Sequence, residues 1–211
     1  MNYKALRIYI SLLLLSFIGQ INGQIIFETK TLKKGIYKTL EEFKNNNPSE
    51  ELKYETTYKD RSPGIAQTRV RAYRINIDKR DGQFIGRVFG FCDGNSVFLC
   101  DGRRTLHKKL DFFKLQNLGR YSYLELRVAV SNYGGGPTSE LQRRVVFLGG
   151  TQTFNIDVTY TSDVEDFLKD DPEIAKMYNE ERKKTKNIGL YIVRYLEKHK
   201  GIVKAYAKIE K

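Results

Sequence analysis

The chain of 211 residues has few of the side chains that nucleophilic and metal-dependent catalysis uses, with only two histidines and two cysteines. A serine or cysteine nucleophile needs a base within hydrogen-bond reach. Only His107 falls near the predicted strands, inside a basic cluster, and His199 lies near the C-terminus. No GxSxG, HExxH or glycine-rich phosphate-binding motif accompanies either histidine. We therefore predict no enzymatic activity, no catalytic or metal-binding residues and no cofactor.

Long apolar runs are scarce as well. Residues 8–18 (IYISLLLLSFI) follow Lys4 and Arg7 and form an apolar run of eleven residues. Such a run is too short for a bilayer, which takes ~20 residues, and it fits the hydrophobic region of a secretory signal. Gly23 offers a cleavage point, so we predict a signal peptide over 1–23 and export to the periplasm or the exterior. No cysteine follows the cut, which disfavours a lipoprotein anchor, and we predict no transmembrane span in the mature chain.

Acidic residues are outnumbered by basic ones, 25 to 37, which gives a formal net charge of +12. The signal carries two of these cations and no acid, so the mature protein stays strongly basic. This charge favours anionic partners such as lipid headgroups or acidic polysaccharide, whereas predicted export and the lack of a binding motif disfavour nucleic acid. Three basic clusters are expected to be solvated surface: Arg103, Arg104, Lys108 and Lys109; Arg143 and Arg144; Lys183, Lys184 and Lys186.

Between residues 52 and 160 apolar residues alternate with polar ones, which indicates strands with one buried and one solvent-exposed face. In residues 121–130, for example, Leu124 and Leu126 alternate with Glu125 and Arg127. Further strands are predicted over 68–77, 83–92, 96–100, 110–115, 144–149 and 154–160. Asp-Gly pairs at 81–82, 93–94 and 101–102 predict tight hairpin turns.

Helical patterns flank this region. Thr39 and Glu42 have the form of a capping box, which predicts a short helix that residues 45–48 (NNNP) end. A second capping box is predicted at residues 162–165, and Asp171-Pro172 marks another helix start. Two sets of apolar residues are expected to face inward: Ile174, Met177 and Tyr178; Ile188, Tyr191, Ile192, Tyr195 and Leu196.

Cys92 and Cys100 lie on either side of a predicted turn in residues 89–102 (FGFCDGNSVFLCDG). A calcium loop fails because Val97 stands where a ligand is needed, and a zinc site at Cys92, Cys100 and His107 lacks a fourth ligand. A two-residue turn points the cysteines to opposite faces of the hairpin. A three-residue turn leaves their Cα atoms ~7–8 Å apart, too far for an unstrained disulfide. Two separate core residues are favoured, with a disulfide or a redox thiol as alternatives.

A glycine-rich stretch and two carboxylate pairs are further candidates for a functional site. Residues 131–140 (SNYGGGPTSE) lack the GK[ST] ending of a phosphate-binding loop and are predicted to connect two strands; a ligand-covering loop would lie here. Carboxylate pairs at Asp163 and Glu165 and at Asp170 and Asp171 lie at predicted helix starts, where negative charge is favourable. We interpret them as helix caps rather than as acid–base catalysts.

Together these patterns predict an α+β fold: an antiparallel β-meander sheet with a short N-terminal helix and two or three C-terminal helices. The predicted divisions are the signal peptide at 1–23, the N-terminal helix and sheet in 24–160, and a helical segment at 161–211 packed on the same domain.

Three stretches, residues 35–43 (GIYKTLEEF), 90–94 (GFCDG) and 119–123 (GRYSY), together resemble an uncharacterised family of small exported proteins from Bacteroidetes. The resemblance extends over most of the mature chain, from near Gly35 into the C-terminal helices. It carries no catalytic residues to transfer. It implies a bacterial envelope or extracellular setting.

Three functions compete on this sequence. The first is an exported, non-enzymatic cell-envelope protein that binds an anionic component or another exported protein through the solvent-exposed face of its sheet. The second is a structural subunit of an exported assembly, which a large exposed apolar patch would mark. The third is a hydrolase with a carboxylate or a Cys92/His107 centre. The missing catalytic constellation favours the first.

Overall fold

The computed structural model of the chain describes residues 31–61, 70–130 and 138–199. The predicted signal peptide, residues 131–137 of the glycine-rich connection and the segment after His199 lie outside these ranges. Within the ranges the chain forms nine strands and five helices. The strands are β1 (Gly35–Tyr37), β2 (Thr56–Arg61), β3 (Val70–Ile75), β4 (Arg87–Cys92), β5 (Val97–Thr105), β6 (Phe112–Lys114), β7 (Tyr121–Val130), β8 (Thr138–Phe147) and β9 (Phe154–Asp157). The helices are α1 (Leu40–Lys44), α2 (Lys79–Ile85), α3 (Thr161–Leu168), α4 (Pro172–Glu180) and α5 (Lys184–Lys198).

The predicted α+β fold is confirmed, and its strands are divided between two antiparallel sheets. The larger sheet has the order β1-β4-β5-β6-β3-β2, and the smaller has the order β7-β8-β9. Strands β4 to β6 and β7 to β9 follow one another as meanders, whereas β3 joins the larger sheet by pairing with β6. Periodicity did not reveal β1, which is too short to alternate, or β2, whose residues 56–60 are all exposed.

The two sheets pack face to face over a shared apolar core. Leu99 and Phe113 of the larger sheet belong to one buried cluster with Leu124 of the smaller sheet. On the outer face of the larger sheet, Phe98 belongs to a second cluster with Ile85 of α2. The layers therefore run from α2 through the larger sheet to the smaller sheet.

The outer face of the smaller sheet is covered by α3, α4 and α5, so the predicted solvent-exposed face of β7 is wrong. Tyr121 of β7 belongs to a buried cluster with Phe167 of α3 and Ile192 of α5. Arg127, expected to face solvent, is only 5% exposed. The amphipathic helices supply an apolar stripe that shields this face, and residues 121–127 of β7 are consequently covered on both sides.

One of the three predicted Asp-Gly turns is a helix instead. Asp81-Gly82 lies inside α2, and the side chain of the N-cap residue Asp78 accepts a hydrogen bond from the Asp81 amide at 2.8 Å. The predicted strand over 83–92 is therefore wrong for its first residues, and β4 begins at Arg87. Asp101-Gly102 lies within β5, where Gly102 has a φ of 78°. Only Asp93-Gly94 forms the predicted turn between two strands.

The first helix matches its prediction. The hydroxyl of Thr39 accepts a hydrogen bond from the Glu42 amide at 3.1 Å. The Glu42 carboxylate reaches back and accepts one from the Lys38 amide at 2.7 Å. Phe43 is fully buried, and the helix ends at Asn45 as expected.

The C-terminal helices match their predictions with two corrections. The five apolar positions predicted for α5 are all buried, and α4 begins at Pro172. Met177, expected to face inward, is 43% exposed. The carboxylate that closes the start of α3 is Asp163 rather than Glu165: it accepts a hydrogen bond from the Tyr160 amide at 2.8 Å. Among the described helices, none has the length and apolar character that crossing a bilayer requires.

Candidate anion-binding surface

α2 presents polar side chains to solvent because two of its residues anchor it to the sheet. Ile85 is 7% exposed and belongs to the outer core cluster. Gly82 lies against the backbone of Leu106, where a Cβ would come 2.4 Å from the carbonyl oxygen. Arg80 and Phe84, four residues apart, share the opposite side of the helix.

The turn after β5 presents basic side chains for a similar reason. Leu106 and Leu110 are buried at 1% and 4% exposure and hold the two ends of the turn against the core. The Leu110 amide donates to the His107 carbonyl at 2.8 Å, and the Lys109 amide lies 3.2 Å from His107 Nδ1. The side chains of residues 107–109 are left exposed between the two anchors.

The turn and α2 meet at one end of the larger sheet. The Leu106 amide donates to the Gly86 carbonyl at 2.8 Å. Next to this contact, β4 and β5 pair Arg87 with Thr105. What we call the basic surface consists of the exposed cations of this end: Lys79 and Arg80 of α2, Arg87 and Arg104 of the paired strand ends, and Lys108 and Lys109 of the turn. The exposed Phe84 lies on α2 as well.

The positive charge of the basic surface is largely uncompensated. Arg80 Nε lies 3.7 Å from Asp81 Oδ1. The other five cations make no ion pair with any carboxylate of the described residues. The acids in the same segments have other roles: Asp78 caps α2, and Asp81 also accepts a hydrogen bond from the Tyr54 hydroxyl at 3.2 Å. A surface of this kind attracts anions over a distance of about a Debye length, ~10 Å at moderate salt.

Phe84 is an unusual neighbour for these cations. It is 85% exposed, the highest value among the large apolar side chains of the described residues. Exposed Tyr58, by comparison, has the Arg71 guanidinium 4.9 Å above its ring. Within the described ranges the Phe84 ring has no aromatic or cation–π partner.

The other basic clusters differ from their prediction. Arg143 is only 6% exposed, so its expected solvation is wrong. Arg144 is mostly buried and bonds Asp101 at 2.9 Å and Asp157 at 3.1 Å. In the third cluster, Lys183 and Lys186 are exposed as predicted at the start of α5, whereas Lys184 is half-buried. Only the 103–109 cluster combines high exposure with further cations from a neighbouring element.

The two cysteines lie on opposite faces of the larger sheet, as a two-residue turn predicts. Cys92 pairs with Val97 around that turn and is buried between the sheets. Cys100 packs against the outer cluster, and both thiols are free. Burial raises the pKa of Cys100 to about 12, so it is protonated at neutral pH. His107 is on the turn that covers the outer face, so Cys92 and His107 are on different sides of the sheet.

A small pocket lies between the sheets where β5 bulges. Val88 pairs with Arg104 but Gly90 pairs with Leu99, so residues 100–103 stand opposite Phe89 alone. The pocket has a volume of about 120 Å³. Leu99, Phe113, Leu124, Leu126 and Val146 form its apolar floor, and Asp101, Arg144 and Asn155 lie at its polar rim.

The four carboxylates of the two predicted pairs, at residues 163 and 165 and at 170 and 171, have different roles. Asp163 and Asp171 cap α3 and α4, which confirms that interpretation for these two residues. Asp170 accepts a hydrogen bond from the Tyr195 hydroxyl at 2.7 Å, and Glu165 is exposed. Across the described ranges, no three His, Cys, Asp or Glu side chains converge in a way that could hold a metal ion.

Sequence reasoning found the cations at 104, 108 and 109 but missed Lys79 and Arg80 of α2 and Arg87 of β4. Arg103, predicted in the same cluster, instead donates to the Lys38 carbonyl at 3.5 Å. The sequence does contain a helix signal for α2: Asp78 is a good N-cap residue, and Gly82 and Ile85 have the i, i+3 spacing of one helix face. The Asp81-Gly82 pair obscured it, because this dipeptide is also a strong turn signal.

The fold and the surface thus define a class of protein: an α+β protein with two antiparallel sheets and a basic end at which Phe84 is exposed. The model of DUF6563, a family of unknown function, matches residues 35–203. The match covers most of the chain, and the protein belongs to this family. No curated protein and no solved structure matches the chain.

Proposed function

We propose that this protein is an exported, non-enzymatic protein of the cell envelope that binds an anionic partner through the basic surface. The observation that carries the proposal is the group of six exposed cations at one end of the larger sheet, five of them without a carboxylate partner among the described residues. Export rests on the signal peptide predicted from residues 1–23.

The sequence predicted that the partner binds the solvent-exposed face of the sheet, and we now propose the basic surface as the binding site instead. The outer face of the smaller sheet is covered by helices, and both faces of the larger sheet carry core clusters. Long lysine and arginine side chains on a helix and a turn can adjust to an irregular anionic surface, and their attraction to it weakens as salt screens the charges.

Retention on the envelope tests this function. The full chain is produced in a bacterium, the envelope fraction is isolated and washed with rising sodium chloride, and the released protein is quantified. We expect a mature chain that begins at Gln24 and is released by salt. The double variant Lys108→Glu with Lys109→Glu should be released at much lower salt, because it replaces two unpaired cations with two anions.

A matched control changes the same charge elsewhere. Lys183→Glu with Lys186→Glu has an identical effect on net charge, but these lysines lie at the start of α5, on the helical side of the molecule. Acidic residues suit a helix start, so the fold should tolerate them. The control should behave like the wild type. An equal shift in both variants, or release that is indifferent to salt, would contradict the proposed surface.

A further inference from the structure

The position of Phe84 narrows the class of anionic partner. Its phenyl ring is 85% exposed on the side of α2 that faces away from the core. Arg80 shares this side of the helix, one turn earlier. Exposed apolar side chains that stand alone are common on protein surfaces, but Phe84 lies on a helix that carries Lys79 and Arg80, and this helix contacts the turn that carries Lys108 and Lys109.

A polysaccharide or a single-stranded nucleic acid would satisfy the cations, but stacking a sugar or a base on the ring covers one of its faces and leaves the other in water. A bilayer with anionic lipids offers both requirements in one partner: phosphate groups at the surface and an apolar layer directly beneath them. Peripheral proteins bury apolar residues about 5–10 Å into the boundary between headgroups and acyl chains. Lysine and arginine stems reach sideways and keep their charges at the phosphates.

We propose that the basic surface docks onto an anionic lipid bilayer, with Phe84 inserted below the headgroups and the cations of α2 and of the turn after β5 in contact with phosphates. This inference rests on the proposed function, since it names the chemistry of the same anionic partner. The anchor is weak and reversible, because a single ring and a short helix bury little apolar area.

Binding to lipid vesicles measures how much the Phe84 ring contributes to the affinity for a bilayer. The mature protein is purified from the salt wash and sedimented with vesicles of phosphatidylcholine, with or without phosphatidylglycerol. We expect binding only when phosphatidylglycerol is present. Phe84→Ala should lower the partition coefficient about tenfold or more, the cost of losing one buried phenyl ring. Leu190→Ala, which shortens an exposed side chain on α5, should bind like the wild type.

The absence of tryptophan from the chain provides a second readout. Phe84→Trp introduces one fluorophore at the proposed depth, and its emission should shift to the blue and be quenched by brominated lipids. Leu190→Trp should show neither effect. With heparin in place of vesicles, Phe84→Trp should show no blue shift, and Phe84→Ala should elute from a heparin column like the wild type.

The outcomes distinguish a failure of lipid insertion by Phe84 from a failure of the basic surface itself. If Phe84→Ala binds vesicles as well as the wild type while Lys108→Glu with Lys109→Glu does not, an anionic partner stands and lipid insertion is refuted. If the lysine variant binds both vesicles and heparin normally, the basic surface itself is refuted. Binding to an acidic protein or a polysaccharide, with no affinity for vesicles, would also overturn the lipid proposal.

Discussion

Asp171, the residue that begins α4, has its carboxylate held by groups from two helices. Its Oδ1 accepts a hydrogen bond from the Ile174 amide, and Lys198 Nζ and His199 Nε2 lie 3.0 and 2.9 Å from Oδ2. Burial alone would raise the pKa of Asp171, but these hydrogen bonds outweigh burial and lower it from 3.8 to about 2. A carboxylate with a lowered pKa stabilises the folded state above its ordinary pKa. That contribution is lost as the pH falls from about 4 to about 2.

We expect Asp171→Asn to lower the free energy of unfolding at pH 7 by about 1–2 kcal/mol, because asparagine keeps the helix cap but loses the charge-assisted bonds. Urea denaturation at several pH values checks this, and the deficit should shrink as the pH approaches 2. Glu173→Gln is the control, since its carboxylate also contacts Lys198 but is 75% exposed. A deficit that stays constant from pH 7 to pH 2 would rule out the ionised carboxylate as its source.

Among the elements, α5 could be predicted from the sequence, whereas α2 was predicted as a turn and the start of a strand. The pattern of α5 depends on residues three and four positions apart, so the burial of Ile188, Tyr191 and Ile192 could be predicted. In α2 the local helix signal competes with the turn signal of Asp81-Gly82, and the contact that decides between them is distant in sequence: the close approach of Gly82 to Leu106. A seven-residue helix is too short to form on its own, and packing against that turn decides it.

Gly82→Ala tests that contact. Alanine is the better helix former by about 1 kcal/mol, yet its Cβ would come 2.4 Å from the Leu106 carbonyl oxygen. We expect a net loss of about 1–3 kcal/mol of unfolding free energy, typical of overpacking, and a lower melting temperature by circular dichroism. Gln83→Ala, one residue further along and exposed, should be neutral or slightly stabilising. A Gly82→Ala protein that is at least as stable as the wild type would show that α2 can shift away from the turn.

For the whole molecule, the smaller sheet is the central layer, with the larger sheet on one side and helices on the other. Arg143 in β8 illustrates this position: its guanidinium donates to the carbonyls of Thr159 and Thr185 at 3.1 and 3.3 Å. In the sequence, the Arg143 pair and the 103–109 cluster look alike. Only the packing of the C-terminal helices separates a buried cation from an exposed one, so net charge predicted that the surface is basic but not where its exposed cations lie.

This arrangement predicts a gradient of hydrogen exchange across the molecule. Amides of residues 144–147 in β8, which are paired on both sides by β7 and β9 and lie between two core clusters, should exchange only when the protein unfolds globally. Amides of β2, an edge strand with exposed side chains, should exchange much faster. Exchange followed by mass spectrometry resolves the two strands. Equal protection of β2 and β8 would contradict a core centred on the smaller sheet.

The cysteines, finally, bear on how the chain matures. Because Cys92 and Cys100 lie on opposite faces of one sheet, the native hairpin keeps their sulfurs apart, and joining them would require the strands to be rebuilt. The folded chain, whose only cysteines are these two, thus has no internal disulfide to form in either a reducing or an oxidising compartment. A chain built in this way can cross between those compartments without a thiol oxidase or an isomerase to complete its fold.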